Sequence, residues 1–167
     1  VVIHMQTIKG KGYKYSEEDH LGIWHGVPPF DKDTGIFKCN QATCWSQAIA
    51  NDLDEILAKN EKTVLINPAM VQGSCLNEVF KKYKGRTFDV GICEEHAFTM
   101  ASGLALNGYH PIISIYSTFM QRAYDEIQQD LARMNLNVTI TIDRAGLVGA
   151  DGETHQGIFD EAMLYTI

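Results

Sequence analysis

No stretch of this chain stays apolar over the roughly 18 residues that a membrane-spanning helix needs. The opening Val1-Val-Ile-His-Met-Gln-Thr7 also lacks the basic-then-apolar order of a secretory leader. Cysteine is sparse: Cys39, Cys44, Cys75 and Cys93 have neither the density nor the context of a disulfide framework, so reduced thiols in a cytosol-like compartment are expected. Positive charge is in deficit, with 14 Lys and Arg against 21 Asp and Glu, a net charge of -7. Surfaces that bind nucleic acid are basic overall, so that class of partner is excluded as the main one. Internal repeats and low-complexity tracts are absent. What remains is ordinary globular material, 45% hydrophobic and 21% charged, and 167 residues suffice for one domain with its own core. The chain has no initiator methionine; it opens inside what reads as a buried strand and stops at Leu164-Tyr-Thr-Ile167 inside what reads as a helix. It is expected to be a segment of a longer protein.

Patterning divides the chain in three. Val1–Thr7 reads as a short strand ending in the turn Lys9–Gly12. Residues 14–42 show no sustained period and carry turn formers (Gly22, Gly26, Pro28-Pro29, Asp33-Thr-Gly35), the signature of a linker or a functional loop. From Thr43 the periods become regular. Thr43 can cap a helix to about Asn60 with Trp45, Ile49, Leu53, Ile56 and Leu57 on its stripe. There follow strand Thr63–Asn67, loop Met70–Cys75, helix Leu76–Tyr83, strand Thr87–Ile92, and helix Glu94–Leu106 closing on Asn107-Gly108. Strand Pro111–Ser117, helix Phe119–Met134, strand Val138–Ile142 and helix Thr154–Thr166 complete the series; in helix Phe119–Met134 the apolar Phe119, Ala123, Ile127 and Leu131 recur every four residues. Alternating strands and helices with short connections predict an α/β fold, a mostly parallel sheet covered by helices on both faces.

Three consecutive predicted strand ends carry acid, base or anion-binding groups. They are Asp89-Val-Gly-Ile-Cys-Glu94-Glu95-His96, Ile115-Tyr-Ser-Thr-Phe-Met-Gln-Arg-Ala-Tyr-Asp125 and Asp143-Arg-Ala-Gly-Leu-Val-Gly-Ala-Asp-Gly-Glu-Thr-His155-Gln-Gly. In parallel α/β sheets ligands bind at the carboxyl edge, so these runs predict one wall of an active site. Taken singly each has a plainer explanation. Two acids at a helix start complement its dipole, a phenylalanine on a helix stripe is core, and Asp151 or Thr154 can cap a helix whose first turn holds His155.

In this order, and with Lys9-Gly-Lys-Gly-Tyr13 and His25-Gly-Val-Pro-Pro-Phe-Asp31 before them, the runs closely resemble the 1-deoxy-D-xylulose-5-phosphate synthases, thiamine-diphosphate enzymes of the transketolase superfamily. The resemblance covers nearly the whole chain. It implies that residues 1–13 are the tail of a preceding diphosphate-binding domain, 14–42 an interdomain linker, and 43–167 a truncated pyrimidine-binding domain. It implies a transferase condensing pyruvate with glyceraldehyde 3-phosphate to 1-deoxy-D-xylulose 5-phosphate and carbon dioxide, which feeds isoprenoid, thiamine and pyridoxal biosynthesis. A homodimer in the cytoplasm is implied, or in a plastid if the source is eukaryotic. Two alternatives stay open, the first of which would share Glu94. One is a transketolase-type sugar-phosphate transferase, which has less reason for the run from Tyr116 to Arg122. The other is a non-catalytic partner subunit of a split enzyme.

The resemblance also assigns roles. Glu94 is implied to hydrogen-bond the pyrimidine ring of thiamine diphosphate and Phe119 to stack on it, with Lys9 and Tyr13 near the cofactor. Glu95 stands where the family usually has Gln. Tyr116, Arg122, Arg144, Asp151 and His155 are implied to contact substrate, the arginines offering planar forks to a phosphate or carboxylate. His155 and the linker histidine His25 are implied to act in catalysis, histidine being the side chain that exchanges a proton near neutral pH. Magnesium belongs with the cofactor, but its ligands are expected outside the segment, since Ala150 replaces the first Gly of a Gly-Asp-Gly signature and no Asn follows. His20 and His25 with Cys39 and Cys44 are in the wrong order for a zinc finger, so no structural zinc is expected there.

Overall fold

A computed structural model describes residues 1–19, 22–38, 44–149 and 152–167. Contacts divide the chain into two units, Val1–Thr43 and Cys44–Ile167. Thr43, expected to cap a helix, and Asp151, expected at the substrate, lie outside the described residues.

The second unit is built on a parallel sheet in the order β2-β1-β3-β4, with β1 Thr63–Asn67, β2 Thr87–Asp89, β3 His110–Tyr116 and β4 Thr139–Asp143. Every residue of β1 is buried, as a central parallel strand requires. Alternate side chains feed opposite faces. Val64, Ile66, Ile113 and Ile115 meet Ala97, Phe98 and Ala101 of α4 (Glu94–Leu106) together with Met120, Ala123, Ile127 and Leu131. Leu65 and Ile112 face the other way, onto Ala50, Leu53 and Leu57 of α2 (Trp45–Lys59) and Val79 of α3 (Asn77–Lys82). The sheet is thus covered on both faces, and each fully buried aliphatic side chain contributes about 1.5–3 kcal/mol.

Local departures from the expected pattern have physical causes. The buried face of α2 is Ala50-Leu53-Leu57, and Trp45 and Ile56, expected on that stripe, are exposed. The expected helix Phe119–Met134 instead begins directly after the last strand residue. It runs as α5 (Ser117–Met120), a 3-10 turn (Gln121–Ala123), α6 (Tyr124–Glu126) and a π turn (Ile127–Ala132). Apolar residues every four positions outrun a 3.6-residue turn; the wide π turn keeps Ile127 and Leu131 both in the core. The last helix, α7, is short, Asp160–Leu164, because Gly157 pairs with Gly146 and holds the residues before it out of helix.

Among its described residues the first unit contains one short helix, α1 (Lys14–Glu17), and a cluster of rings. Trp24 packs edge-on against Phe30 and Tyr13, with centroids 4.8 and 5.0 Å away, and Phe37 closes the group at 5.2 Å from Trp24. Phe30 and Phe37 pair across a turn in which Asp31 Oδ1 accepts from the backbone N–H of Asp33 and Thr34 and from the Thr34 hydroxyl. Those bonds, the Thr34 N–H first, hold the Asp31 carboxyl below its ordinary range. Val1–Thr7 is not the buried strand that its apolar residues suggested: among the described residues no strand pairs with it, and Val1, Val2, Ile3 and Met5 are exposed.

Candidate active site at the carboxyl edge of the sheet

All four strands end on one edge, at Asn67, Asp89, Tyr116 and Asp143, and Tyr116 lies opposite Asp143 in register. The connections here are pinned by polar side chains at the strand ends. Asn67 is fully buried; its Nδ2 donates to the Ser114 carbonyl at 2.9 Å and its Oδ1 accepts from the Met70 N–H at 2.7 Å. Asp89 Oδ1 accepts from the N–H of Ala69 and Gly91. Three non-glycine residues with left-handed backbone follow these strand ends, Ala69 (φ 62°), Cys75 (φ 58°) and Arg144 (φ 52°). Such conformations cost about 1–3 kcal/mol and persist where the surroundings over-determine them.

The backbone turn at Arg144 carries its guanidinium over the Tyr116 ring, 4.5 Å from the centroid. Tyr116 in turn stacks on Phe119 at 5.6 Å with planes 7° apart, and Phe119 meets the edge of His155 at 5.4 Å and 86°. Four residues expected at the site therefore form one continuous ladder, Arg144–Tyr116–Phe119–His155. Tyr116 is only 2% exposed, its hydroxyl end lying where a side chain at Gly73 would have to go, so it is the fixed rung that orients its neighbours. Phe119 is half-buried, and His155 is exposed with Nδ1 2.6 Å from the Thr154 hydroxyl.

The loop bearing His155 is folded back by Gln156, which accepts from the Val148 N–H at 2.7 Å and donates to the carbonyls of Val148 and Gly152. Gly157 packs so closely on Arg144 and Ser117 that the Cβ of any other residue would collide with the Arg144 carbonyl and approach Ser117 Cβ to 2.8 Å.

Glu94 opens α4 and is 3% exposed. Its Oε2 accepts from Arg122 Nη1 at 2.8 Å, and the same guanidinium reaches Glu95 Oε1 through Nη2 at 3.5 Å. The ion pair spans 28 positions of sequence and ties the first turn of α4 to the segment bearing Phe119. Arg122, expected as an anion-binding fork, is in this state engaged by the carboxylate expected to serve the cofactor.

Several participants had no signal in the sequence. Ser46 donates to Asp143 Oδ1 at 2.9 Å and brings the start of α2 to the end of β4. Burial pushes the Cys75 thiol up, helped by the Cys44 thiol and Asp143 and opposed by Arg144, so both cysteines belong to this edge. Among the described residues the buried hydroxyls of Ser117 and Ser74 have no hydrogen-bond partner.

The remaining expected residues lie in the first unit. Lys9 Nζ is 3.3 Å from His25 Nδ1, both on the surface, and the Tyr13 hydroxyl donates to the Lys32 carbonyl within the ring cluster. Desolvation, then the neighbouring Tyr15, Asp31 and Asp33, raises the Tyr13 phenol.

A buried carboxyl opening α4, joined through an arginine to a segment with an aromatic ring, can hydrogen-bond and stack a planar polar ligand. No three His, Cys, Asp or Glu residues converge to hold a metal among the described residues.

Residues 41–167 match the family described as "Transketolase, pyrimidine binding domain". A protein named 1-deoxy-D-xylulose-5-phosphate synthase from Listeria monocytogenes serotype 4b is 53% identical over 169 residues, covering 100% of this chain and 28% of that protein. One of the same name from Bacillus velezensis is 51% identical over 166 residues, covering 98% of this chain and 26% of its own length. The chain spans roughly a quarter of these curated relatives. Among solved structures, a split-gene transketolase described as an inactive β4 tetramer superposes with a TM-score of 0.59 at 31% identity, over 70% of this chain and 38% of that one.

Proposed function

Because the chain belongs to the transketolase pyrimidine-binding domain family, we propose that it supplies the pyrimidine side of the active site of a 1-deoxy-D-xylulose-5-phosphate synthase. The carrying observation is the buried Glu94 at the start of α4, joined through Arg122 to the segment that carries Phe119. Thiamine diphosphate, when bound, supplies the electron sink through which pyruvate loses carbon dioxide and its two-carbon remainder adds to glyceraldehyde 3-phosphate. Glu94 would hold a pyrimidine nitrogen by a hydrogen bond, and Phe119, fixed by Tyr116, would offer its ring to the same heterocycle.

Arg144 and Arg122 would bind the acceptor's phosphate, and Asp151 would help line its pocket. His155, beside Phe119, would deliver a proton to the aldehyde oxygen as it becomes a hydroxyl. Lys9 and Tyr13 would serve the cofactor, and His25 the substrate. Magnesium would be held by residues outside this segment. The working protein would be a cytoplasmic homodimer.

A second reading is favoured by one observation, the likeness to a split-gene transketolase chain. On it, this polypeptide is the partner subunit of a divided enzyme. A Gly-Asp-Gly with a following Asn on the same polypeptide, found by sequencing the gene upstream of Val1, rules that out.

The test of the main reading is Glu94→Gln in the full-length protein. Turnover should fall by about a hundredfold or more with the fold intact by circular dichroism. Turnover near that of the unaltered protein would overturn the assignment.

A further inference from the structure

The first turn of α4 sets two adjacent carboxylates against one guanidinium. Glu94, buried, takes the short bond to Arg122 at 2.8 Å; Glu95 waits at 3.5 Å, with about two-fifths of its side chain exposed (42%). Arg122 itself is half exposed, so its outer edge is open to an anion from solvent. The arrangement is overfilled, with two negative charges for one fork, and a fork can hold one planar anion well.

Whatever draws Glu94 toward another partner leaves Arg122 with two candidates, the Glu95 carboxylate already beside it and an incoming anion. Glu95 is tethered at the rim and requires only a side-chain rotation to take the fork. A tethered anion competes as an internal ligand and weakens the external one by its own share of occupancy.

From this we infer that Glu95 is a positioning residue for Arg122, taking the guanidinium as Glu94 turns to the cofactor and competing with the anionic group of the substrate for it. The inference rests on the proposed roles of Glu94 and Arg122. Glu95 then sets how tightly the phosphate of the acceptor is held rather than how fast the reaction proceeds. A neutral amide at this position would keep the size and the hydrogen-bonding reach but withdraw the competing charge.

The experiment uses the full-length protein loaded with cofactor and magnesium, titrated calorimetrically with sn-glycerol 3-phosphate, which carries the phosphate but no aldehyde to react. Glu95→Gln should tighten binding by roughly two- to fivefold, the scale of an exposed ion pair. The KM for glyceraldehyde 3-phosphate should fall by a similar factor, while kcat and the KM for pyruvate hold. In an Arg122→Met background the same substitution should change nothing.

Unchanged or weaker binding in Glu95→Gln, or equal tightening with and without Arg122, overturns the inference. If Arg122→Met alone leaves glycerol 3-phosphate binding intact, it is the phosphate role of Arg122 that fails, and the inference with it. If Glu94→Gln retains turnover, the cofactor role fails, and that outcome is read independently of either titration.

Discussion

Among the candidate site residues, Arg144 and Arg122 carry the same charge on different supports. Arg122 neutralises a buried carboxylate, so removing it leaves Glu94 uncompensated as well as depriving an anion of its partner. Arg144 lies over the Tyr116 ring at 4.5 Å, on a backbone turned into the left-handed region. It is the cleaner probe of substrate binding. Arg144→Ala in the full-length protein should raise the KM for glyceraldehyde 3-phosphate about tenfold to a hundredfold, since a charge-assisted hydrogen bond contributes about 1.5–3 kcal/mol. The KM for pyruvate should move far less. Steady-state kinetics with each substrate varied in turn decides, and equal changes for both would assign Arg144 to holding Tyr116 rather than to the phosphate.

Elements explain why part of this was legible in sequence and part was not. The strands and α4 announce themselves through local period and turn chemistry: α4 begins and ends where the Glu94 and Asn107-Gly108 signals put it, and β1 is the apolar run Thr63–Asn67. Side chains that meet across long separations leave no such trace. The bond from Arg122 to Glu94, the Ser46 contact to Asp143 and the seating of Gly73 against Tyr116 depend on how connections fold over the sheet edge. The helix expected from Thr154 starts late for a related reason. Residues 154–159 run without a break into the helical Asp160–Leu164, whereas the backbone pairing of Gly157 with Gly146 competes for them and wins.

That pairing is testable at the scale of the loop it shapes. Gly157→Ala should destabilise the protein by about 1–3 kcal/mol as the new methyl group displaces Arg144 and Ser117. It should also lower turnover, because His155 and Arg144 sit on the two segments it pushes apart. Gly103→Ala in α4, where an added Cβ meets nothing within 4 Å, is the control and should be neutral or stabilising by up to about 1 kcal/mol. Thermal unfolding of the two variants side by side reads the difference; equal melting temperatures would show that the Gly157 contact yields without cost.

At the scale of the whole molecule, the second unit is a well-packed sheet layer whose carboxyl edge carries the ladder Arg144–Tyr116–Phe119–His155, and no three His, Cys, Asp or Glu converge to hold a metal among its described residues. A diphosphate without its magnesium keeps its charge and its hydration, and a surface lysine such as Lys9 is a poor substitute for a metal site. Residues 1–167 expressed alone should therefore bind thiamine diphosphate weakly and turn over no substrate, even with magnesium present. The same piece should self-associate, because Val1, Val2 and Ile3 present an unpaired apolar segment, each at least 80% exposed. Calorimetric titration with cofactor and magnesium tests the first expectation, and sedimentation across a concentration series tests the second. Micromolar binding at one site per chain would mean that these residues already hold a complete cofactor site, and the division of labour between this segment and the rest of the enzyme would have to be redrawn.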